Sequence, residues 1–189
     1  MDKKKRKLQN IYSRNLLTKK IILPMVVIGK NLDDVIEEYI SNNFEGKCIV
    51  EGFVKPKSTK IISYSCGVIV KGNNILINVV FECDICFPVE GMLISCVVKN
   101  ITKAGIRAES SDDVPSPVVI FMSKEHHHNN SYFNDVNIGD IITCRVIAQR
   151  FELNDHWISI TGEFVKEKEF NEKKNNQKQK KLKLTIEDD

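Results

Sequence analysis

Five short apolar segments follow one another between residues 88 and 165, and this succession is the strongest constraint on the fold. Each segment is rich in β-branched residues and is separated from the next by turn-forming residues, which is the pattern of short strands joined by turns. Five consecutive strands of this kind predict a small Greek-key barrel of the OB type over residues 88–165. The segments read GMLISCVVKNI, AGIRAE, PVVIFMS, DIITCRVIAQRF and HWISITGEF.

Glycines stand where such a barrel has to bend or turn. Gly91 opens the first segment, Gly105 precedes the second, and Gly139 with Asp140 leads into the fourth. Glycine permits the sharp corner that joins the two halves of a small barrel. These positions therefore support the predicted fold, and any function has to come from the side chains on the barrel surface.

Residues 15–87 predict a second unit that contains a helix. The segment LLTKKIILP is predicted as a strand that Pro24 ends. A helix is predicted next, with Asn31 as its N-cap, one apolar face at helical spacing, and Gly46 just beyond its end. Three more strands are predicted in GKCIVEGFV, KIISYSCGVIV and ILINVVFECDICF. The unit is therefore β-α-β-β-β, and the fold class of the chain is α+β.

Charge is concentrated at the ends of the chain. Residues 1–20 contain eight Lys and Arg and one Asp, whereas residues 21–165 contain twelve basic and eighteen acidic side chains. Residues 1–14 and the Lys-rich residues 166–189 lack apolar periodicity, and we predict that both are disordered basic tails. Nucleic-acid binding by this chain would therefore need a local basic patch or the tails.

The cysteines and histidines do not predict a metal site. The six cysteines lie mostly in apolar runs, which is typical of buried free thiols in a reducing, intracellular compartment. Cys83 and Cys86 have the spacing of a zinc pair, but no second pair follows, and residues three apart on a strand face opposite sides. The histidines at 126–128 cannot all converge on one ion, and we expect a solvated loop there. We predict no metal and no cofactor.

Catalysis and membrane insertion are not expected from this sequence. It contains no phosphate-binding glycine loop, no nucleophile elbow and no convincing pair of catalytic carboxylates. Asp112 and Asp113 lie among prolines and predict a turn. No apolar run approaches the roughly 18 residues of a membrane-spanning helix, and the basic start lacks the apolar segment of a secretory signal. We predict a protein that is not itself an enzyme.

Several stretches resemble a known family. PVEGMLISCVVKNITKAGIRAE followed by IGDIITCRVIAQRFELNDHWISITG resembles the OB-fold domain of the ribosomal-protein S-one class. Joined to EGKCIVEGFV and SCGVIVKGNNILINVVFECDICFPVEG, it resembles the stalk subunit of multisubunit DNA-directed RNA polymerase, the seventh-subunit family. The segment RFELNDHW also fits the pattern of that family. The resemblance covers residues 15–165 and looks closest to copies encoded by large cytoplasmic DNA viruses.

The resemblance implies a role in transcription and a set of partners. The N-terminal unit would be the tip domain, which docks on the polymerase core near its largest subunit and a small subunit at the base of the clamp. A fourth-subunit homologue is a further expected partner, and the barrel would lie beside the RNA exit channel and touch nascent RNA. The residues that the resemblance places near the docking surface are Lys55, Pro56, Lys57, Tyr64 and Gly67.

The predicted RNA-binding surface departs from the S-one class. That class stacks bases on aromatic residues of the second and third strands, whereas the second strand here reads Gly105-Ile106-Arg107 and Phe121 is the single ring in the third. Each lost stacking contact removes about 1–3 kcal/mol per base. We therefore expect weak binding, mainly to phosphates. The candidate residues are Lys99, Lys103, Arg107, Arg145 and Arg150, with Trp157 as the candidate for stacking.

Two other functions and two locations stay open at this point. The same barrel could belong to a free-standing RNA-binding factor in translation or RNA folding, or to a scaffold whose basic residues only aid solubility. The expected location is the site of transcription, which for a viral protein is the cytoplasmic virus factory or the virion. It would be the nucleus if KKKRK at residues 3–7 is a localisation signal, but the same segment would also suit a phosphate-binding arm.

Overall fold

The computed structural model describes residues 10–29, 31–111, 114–128 and 131–165, and these ranges form an N-terminal sheet with one long helix, followed by a closed barrel. The predicted basic tails fall outside the described residues, apart from residues 10–14. The N-terminal elements are β1 (Tyr12–Pro24), a 3-10 turn (Met25–Val27), α1 (Leu32–Phe44), β2 (Cys48–Ile49), β3 (Gly52–Val54), β4 (Lys60–Tyr64), β5 (Val68–Val70) and β6 (Asn74–Cys86).

The long strand β6 organises the N-terminal sheet. It pairs with β1 along its full length, from Tyr12 opposite Cys86 to Pro24 opposite Asn74. On its other edge β6 pairs in turn with β5, β4 and β3, and β2 pairs with β3. Alternate residues of β6 are buried together with Ile36 and Ile40 of α1. Full burial of such a side chain stabilises the fold by about 1.5–3 kcal/mol.

The predicted helix is confirmed, but two predicted strands are each divided. Asn31 is the N-cap, although its side chain makes no capping hydrogen bond, and Gly46 follows the helix with a φ of 69°. The segment CIVEGFV forms a hairpin because Gly52 packs on β6, where a Cβ would lie 2.5 Å from the carbonyl oxygen of Cys86. The segment KIISYSCGVIV forms β4 and β5, which follow β6 separately.

The boundary predicted for the first tail is wrong at its inner end. Residues up to 14 were expected to be disordered, yet β1 begins at Tyr12 and pairs there with β6. The reason is the preceding residue, because Ile11 is 6% exposed and packs in the barrel core. That contact is made with residues far along the chain, and no local pattern in the basic N-terminal segment indicates it.

The five predicted barrel strands are confirmed as a closed barrel, compatible with the OB type. They are β7 (Leu93–Ile101), β8 (Gly105–Ser110), β9 (Val118–Ser123), β10 (Ile141–Arg150) and β11 (Ile158–Val165). The neighbours around the barrel are β7, β8, β9, β11 and β10, and β10 closes on β7. The β9–β11 pairing is parallel and the others are antiparallel. Apolar side chains that alternate along each strand fill the interior.

The N-terminal sheet and the barrel contact each other through a shared apolar cluster and through backbone hydrogen bonds. Cys48 and Phe53 of the β2–β3 hairpin are buried in the same apolar cluster as the barrel strands. The backbone of Cys48 donates to the Asp155 carbonyl at 2.7 Å and accepts from the Asn154 amide at 2.8 Å. These contacts hold the loop between β10 and β11 against the sheet and fix the position of the residues that follow it.

The cysteines behave largely as predicted, whereas the histidine loop does not. Five cysteines are buried free thiols and Cys66 is exposed. Burial raises the pKa of the Cys96 thiol to about 12, so thiol chemistry at neutral pH is disfavoured there. Cys83 and Cys86 face opposite sides of β6 and lie in different cores. His127, expected in a solvated loop, is instead 5% exposed because its ring stacks on Phe133 with centroids 4.4 Å apart.

Candidate nucleic-acid interface and docking surface

Arg107 and Phe121 lie side by side on the outer face of β8 and β9. They are directly opposite each other in the strand register, where Cβ atoms are about 4.5–5.5 Å apart. Both alternate with buried neighbours, and Phe121 is 41% exposed. Arg107 reaches Glu109 only at 3.5 Å and its side chain stays 53% exposed. An aromatic ring can stack on a base, and a cation beside the ring can neutralise a phosphate of the same strand.

Two lysines extend this basic surface at the β7–β8 turn. Lys103 lies in the turn that Thr102 and Gly105 close with a 2.9 Å backbone hydrogen bond. Gly105 is required by space, because a Cβ there would lie 2.1 Å from the carbonyl oxygen of Met122. Lys99 is exposed at an irregularity in the β7 register. The structure thus brings Lys99, Lys103 and Arg107 to one end of the β7–β8 hairpin.

Trp157 lies on the same outer side of the barrel but at a distance. It is 49% exposed and directly precedes Ile158, which is opposite Val118 at the start of β9. Because Phe121 is opposite Thr161 on β11, it is four residues further along the strands than Trp157, so the two rings are separated by about 13 Å along the strand direction. The His156 ring is 3.2 Å from the Gly46 carbonyl oxygen, so the contacts between the loop and the sheet continue up to Trp157.

Arg145 does not belong to the surface that the sequence assigned to it. On β7, Arg145 is opposite Leu93 whereas Arg107 is opposite Asn100, and seven residues correspond to about 23 Å along a strand. Arg145 also forms an ion pair with Glu163 at 3.0 Å. The six predicted residues therefore do not form one cluster, because their spacing is set by the register of the closed barrel.

Arg150 is placed near the loop that precedes Trp157. It lies at the end of β10 opposite Ser159, and its guanidinium contacts Glu152 at 3.1 Å. Both side chains are highly exposed, at 83% and 72%. Exposed pairs of this kind contribute little to stability, about 0–1 kcal/mol, so Arg150 can exchange its partner for a phosphate.

Phe121, which the predicted residue set omitted, could have been identified by its outward position in the alternating segment VVIFMS.

The predicted docking residues Lys55 and Lys57 make contacts with other residues of the N-terminal unit. The Lys55 ammonium lies 4.5 Å from the centroid of the Tyr12 ring, and the Lys57 amide donates to Glu45 at 2.9 Å. Burial raises the pKa of Glu45, but hydrogen bonds from Thr59 and the Lys57 amide outweigh it and leave the pKa lowered. Pro56 between them is exposed.

Tyr64 and Gly67 lie toward the other end of the sheet. A hydrogen bond from the Tyr64 hydroxyl to Asp33 raises the tyrosine pKa. At Gly67 there is no room for a side chain, since a Cβ there would lie 2.1 Å from Ile75 Cγ2. The Lys55 amide bonds to Asp84, whereas Val68 beside Gly67 is opposite Leu76. Eight residues of β6 therefore separate the two groups, about 26 Å, and the predicted set is not one surface.

An exposed apolar surface, which sequence reasoning missed, lies at this second end of the sheet. Ile22, Leu76 and Val68 stand in one row across β1, β6 and β5. Ile22 is 54% exposed and Val68 is 61% exposed. The surface continues onto the 3-10 turn, whose first amide bonds to the Asn73 carbonyl at 2.9 Å. We call it the apolar end, and it consists of Ile22, Met25, Val26, Val68 and Leu76. Ile69, next to Val68 on β5, is exposed on the opposite face of the sheet.

The signal for the apolar end was present in the sequence. The run PMVVIG begins at the last residue of β1 and has no polar residue, and no helical or strand periodicity directs its side chains into a core. Val26 is 88% exposed and Met25 is 36% exposed. Exposed apolar patches of this kind mark surfaces for other proteins.

Within the described ranges, no three His, Cys, Asp or Glu side chains come together as a metal site would require. The same ranges contain no helix with the length and hydropathy needed to cross a bilayer.

Comparison with known proteins gives one informative similarity. No family model matches the chain. A protein of Acanthamoeba polyphaga mimivirus, provisionally named a DNA-directed RNA polymerase subunit, is 26% identical over 176 aligned positions. The alignment covers 83% of this chain and 83% of the viral protein. At that coverage the similarity extends over both the N-terminal sheet and the barrel.

Proposed function

We propose that this chain is a non-catalytic subunit of a DNA-dependent RNA polymerase. The observation that carries the proposal is the similarity to the mimivirus protein, because it covers 83% of both chains. The order of a helix-containing sheet followed by a five-stranded barrel agrees with the stalk subunit, the seventh-subunit family, which the sequence resembles. In this proposal residues 15–87 form the docking unit and residues 88–165 form the RNA-contacting barrel.

The barrel would contact nascent RNA through the β8–β9 face. Phe121 offers one stacking surface, worth about 1–3 kcal/mol for a base. Arg107, Lys99 and Lys103 lie beside it and would neutralise phosphates, which gives a salt-dependent affinity. With one ring at this position and few cations, the barrel would hold RNA weakly, as suits a transcript that has to keep moving.

The N-terminal unit would dock on the polymerase core through the apolar end. Side chains such as Val26 and Val68 are exposed in the isolated chain, and burying them against a partner is favourable by roughly 25 cal/mol per Å². Tyr64 and Gly67 of the docking set inferred from the sequence lie toward this end of the sheet. Lys55, Pro56 and Lys57 lie at the opposite end, where they remain a proposed second contact. The core partners would be the largest subunit and the small subunit at the base of the clamp.

Tagged wild type, one double variant and one single variant, each recovered from the native source, test this assignment. The variant Val26→Asp/Val68→Asp places charge on the apolar end, and Val50→Asp is the matched control because Val50 is 73% exposed in the β2–β3 turn. We expect wild type and Val50→Asp to retain the large polymerase subunits, and the double variant to lose them. If no sample contains polymerase subunits and all contain RNA, the alternative of a free-standing RNA-binding factor is supported instead.

RNA contact is tested separately by ultraviolet crosslinking within the transcribing complex. Phe121→Ala should reduce crosslinking of the transcript to this chain without releasing the chain from the polymerase. Ile147→Ala is the control, since Ile147 is 44% exposed on β10, away from the β8–β9 face. Equal crosslinking in both variants would contradict the assignment of the face while leaving the docking result intact.

A further inference from the structure

The strand β1 has a long edge that lacks a partner strand in the described part of the chain. It spans 13 residues and pairs only with β6. Half of the amide and carbonyl groups of an edge strand point away from the sheet, and they form a template for a further strand. Natural proteins usually shorten such edges or cover them. At 13 residues, β1 is an unusually long edge to leave uncovered.

The side chains of β1 define which strand would fit. Leu16 is 63% exposed and Ile22 is 54% exposed on the outer face, so a neighbouring strand should place apolar residues there. Lys20 is exposed on the same face, and no ion pair to it is formed among the residues that the structure describes. The fitting strand is therefore apolar at alternate positions and carries acidic residues.

A second copy of β1 does not meet these requirements. A two-fold antiparallel pairing of β1 with itself would bring the neighbouring Lys19 and Lys20 of one copy close to those of the other. Like charges placed across from each other destabilise a pair of strands. Lysines on edge strands are a common device against such self-association.

Residues 182–187 of the chain itself do meet the requirements. The sequence LKLTIE places Leu182, Leu184 and Ile186 at alternate positions, and Asp188 continues the same alternation. In an extended segment these four share one side, whereas Lys183 and Glu187 fall on the other. This is the strand period. Elsewhere in residues 166–189 the sequence is dominated by Lys, Asn, Gln and Glu and shows no such alternation. The segment thus combines the apolar and acidic features that the edge of β1 calls for.

The connecting length allows this contact. Residues 166–181 separate Val165 at the end of β11 from Leu182, and 16 residues can extend over about 53 Å. The barrel is shorter than that, since the eight residues of β11 span about 26 Å. Ile11, next to β1, packs in the barrel core, so β1 begins within reach.

We propose that residues 182–187 bind along the outer edge of β1 as an added strand. The contact is intramolecular and therefore forms at the high effective concentration that a tether provides. It covers the edge in the isolated protein, and an extended segment of a partner protein could take its place. The proposal rests on β1 and the C-terminal segment and does not depend on the proposed function.

Amide hydrogen exchange of β1 in the full-length protein tests the proposal. The variant Leu184→Pro/Ile186→Pro removes two backbone donors and two apolar side chains from the segment, and Asn176→Pro is the control within the linker. We expect the outward amides of β1 to exchange at least about 10-fold faster in the double variant than in wild type and control. Exchange that is equal in all three proteins would overturn the proposal. Protection that rises with protein concentration and persists in the double variant would also overturn it and would indicate a second copy.

Discussion

Replacing His127 should destabilise the barrel more than any other change in the β9–β10 connection. The ring is 5% exposed and both nitrogens have backbone partners. Nδ1 lies 2.6 Å from the Ser123 carbonyl oxygen, and Nε2 accepts from the Phe164 amide at 2.9 Å. The neutral ring with its proton on Nδ1 satisfies both groups at once. The histidine thereby ties the end of β9 to β11.

The variant His127→Phe isolates the two hydrogen bonds, because it keeps an aromatic ring against Phe133. It leaves the Ser123 carbonyl and the Phe164 amide without their partner in a largely buried place. Each orphaned group costs about 1–3 kcal/mol, and partial access of water to these half-buried groups favours the lower end. We expect a loss of about 2–4 kcal/mol in the free energy of unfolding, a large part of the 5–15 kcal/mol typical of a domain.

Urea unfolding followed by circular dichroism measures this loss. His126→Phe is the matched control, since His126 is exposed one residue earlier and a change there should stay within about 0.5 kcal/mol of wild type. If His127→Phe and His126→Phe unfold at the same urea concentration, the two hydrogen bonds do not stabilise the fold and the reasoning fails.

Three further predictions concern Gly105, Phe121 and Glu45. Gly105→Ala should lower stability by about 2 kcal/mol or more, because its Cβ would meet the Met122 carbonyl oxygen at 2.1 Å; Gly139→Ala, with no atom within 4 Å of the added Cβ, should cost only about 1 kcal/mol from backbone strain. A similar loss in both variants, measured by thermal unfolding, would refute the packing argument. Phe121→Ala should weaken binding of a short single-stranded RNA by about 1–3 kcal/mol and leave the unfolding midpoint unchanged; an unaltered affinity would remove the ring from the interface. Glu45 has a pKa lowered from 4.5 in the folded protein, so its stabilising effect is complete above that value and is lost as pH falls through the lowered pKa; Glu45→Gln should flatten the pH dependence of stability in that acidic range, and a slope identical to wild type would contradict it.

The barrel could be predicted from the sequence because the patterns that indicate its strands and turns lie within short segments of the chain. The segment VVIFMS alternates buried and exposed residues, and Gly105 and Gly139 mark turns that the structure places between strands. The same alternation identifies the exposed position of Phe121. The helix was equally predictable, because Gly46 and the apolar face of α1 lie within its own segment.

The errors concern contacts between distant parts of the chain. His127 lies in a polar segment, and it is buried between Phe133, on which its ring stacks, and the backbone of Phe164, which is 37 residues further along. The division of CIVEGFV into two strands depends on the approach of Gly52 to Cys86. The sequence predicts one surface for Arg145 and Arg107, but their separation is set by the register on β7. The spacing of residues along the sequence does not determine that strand register.

The central claim, membership of a DNA-dependent RNA polymerase, is tested most directly by purifying that enzyme through its largest subunit from the native source. The complex is then sedimented at moderate salt, and this chain is quantified against the largest subunit by mass spectrometry. The account predicts that the chain sediments with the polymerase in a constant ratio near one to one. Intact polymerase that contains none of this chain, with the chain left at the top of the gradient, would contradict it.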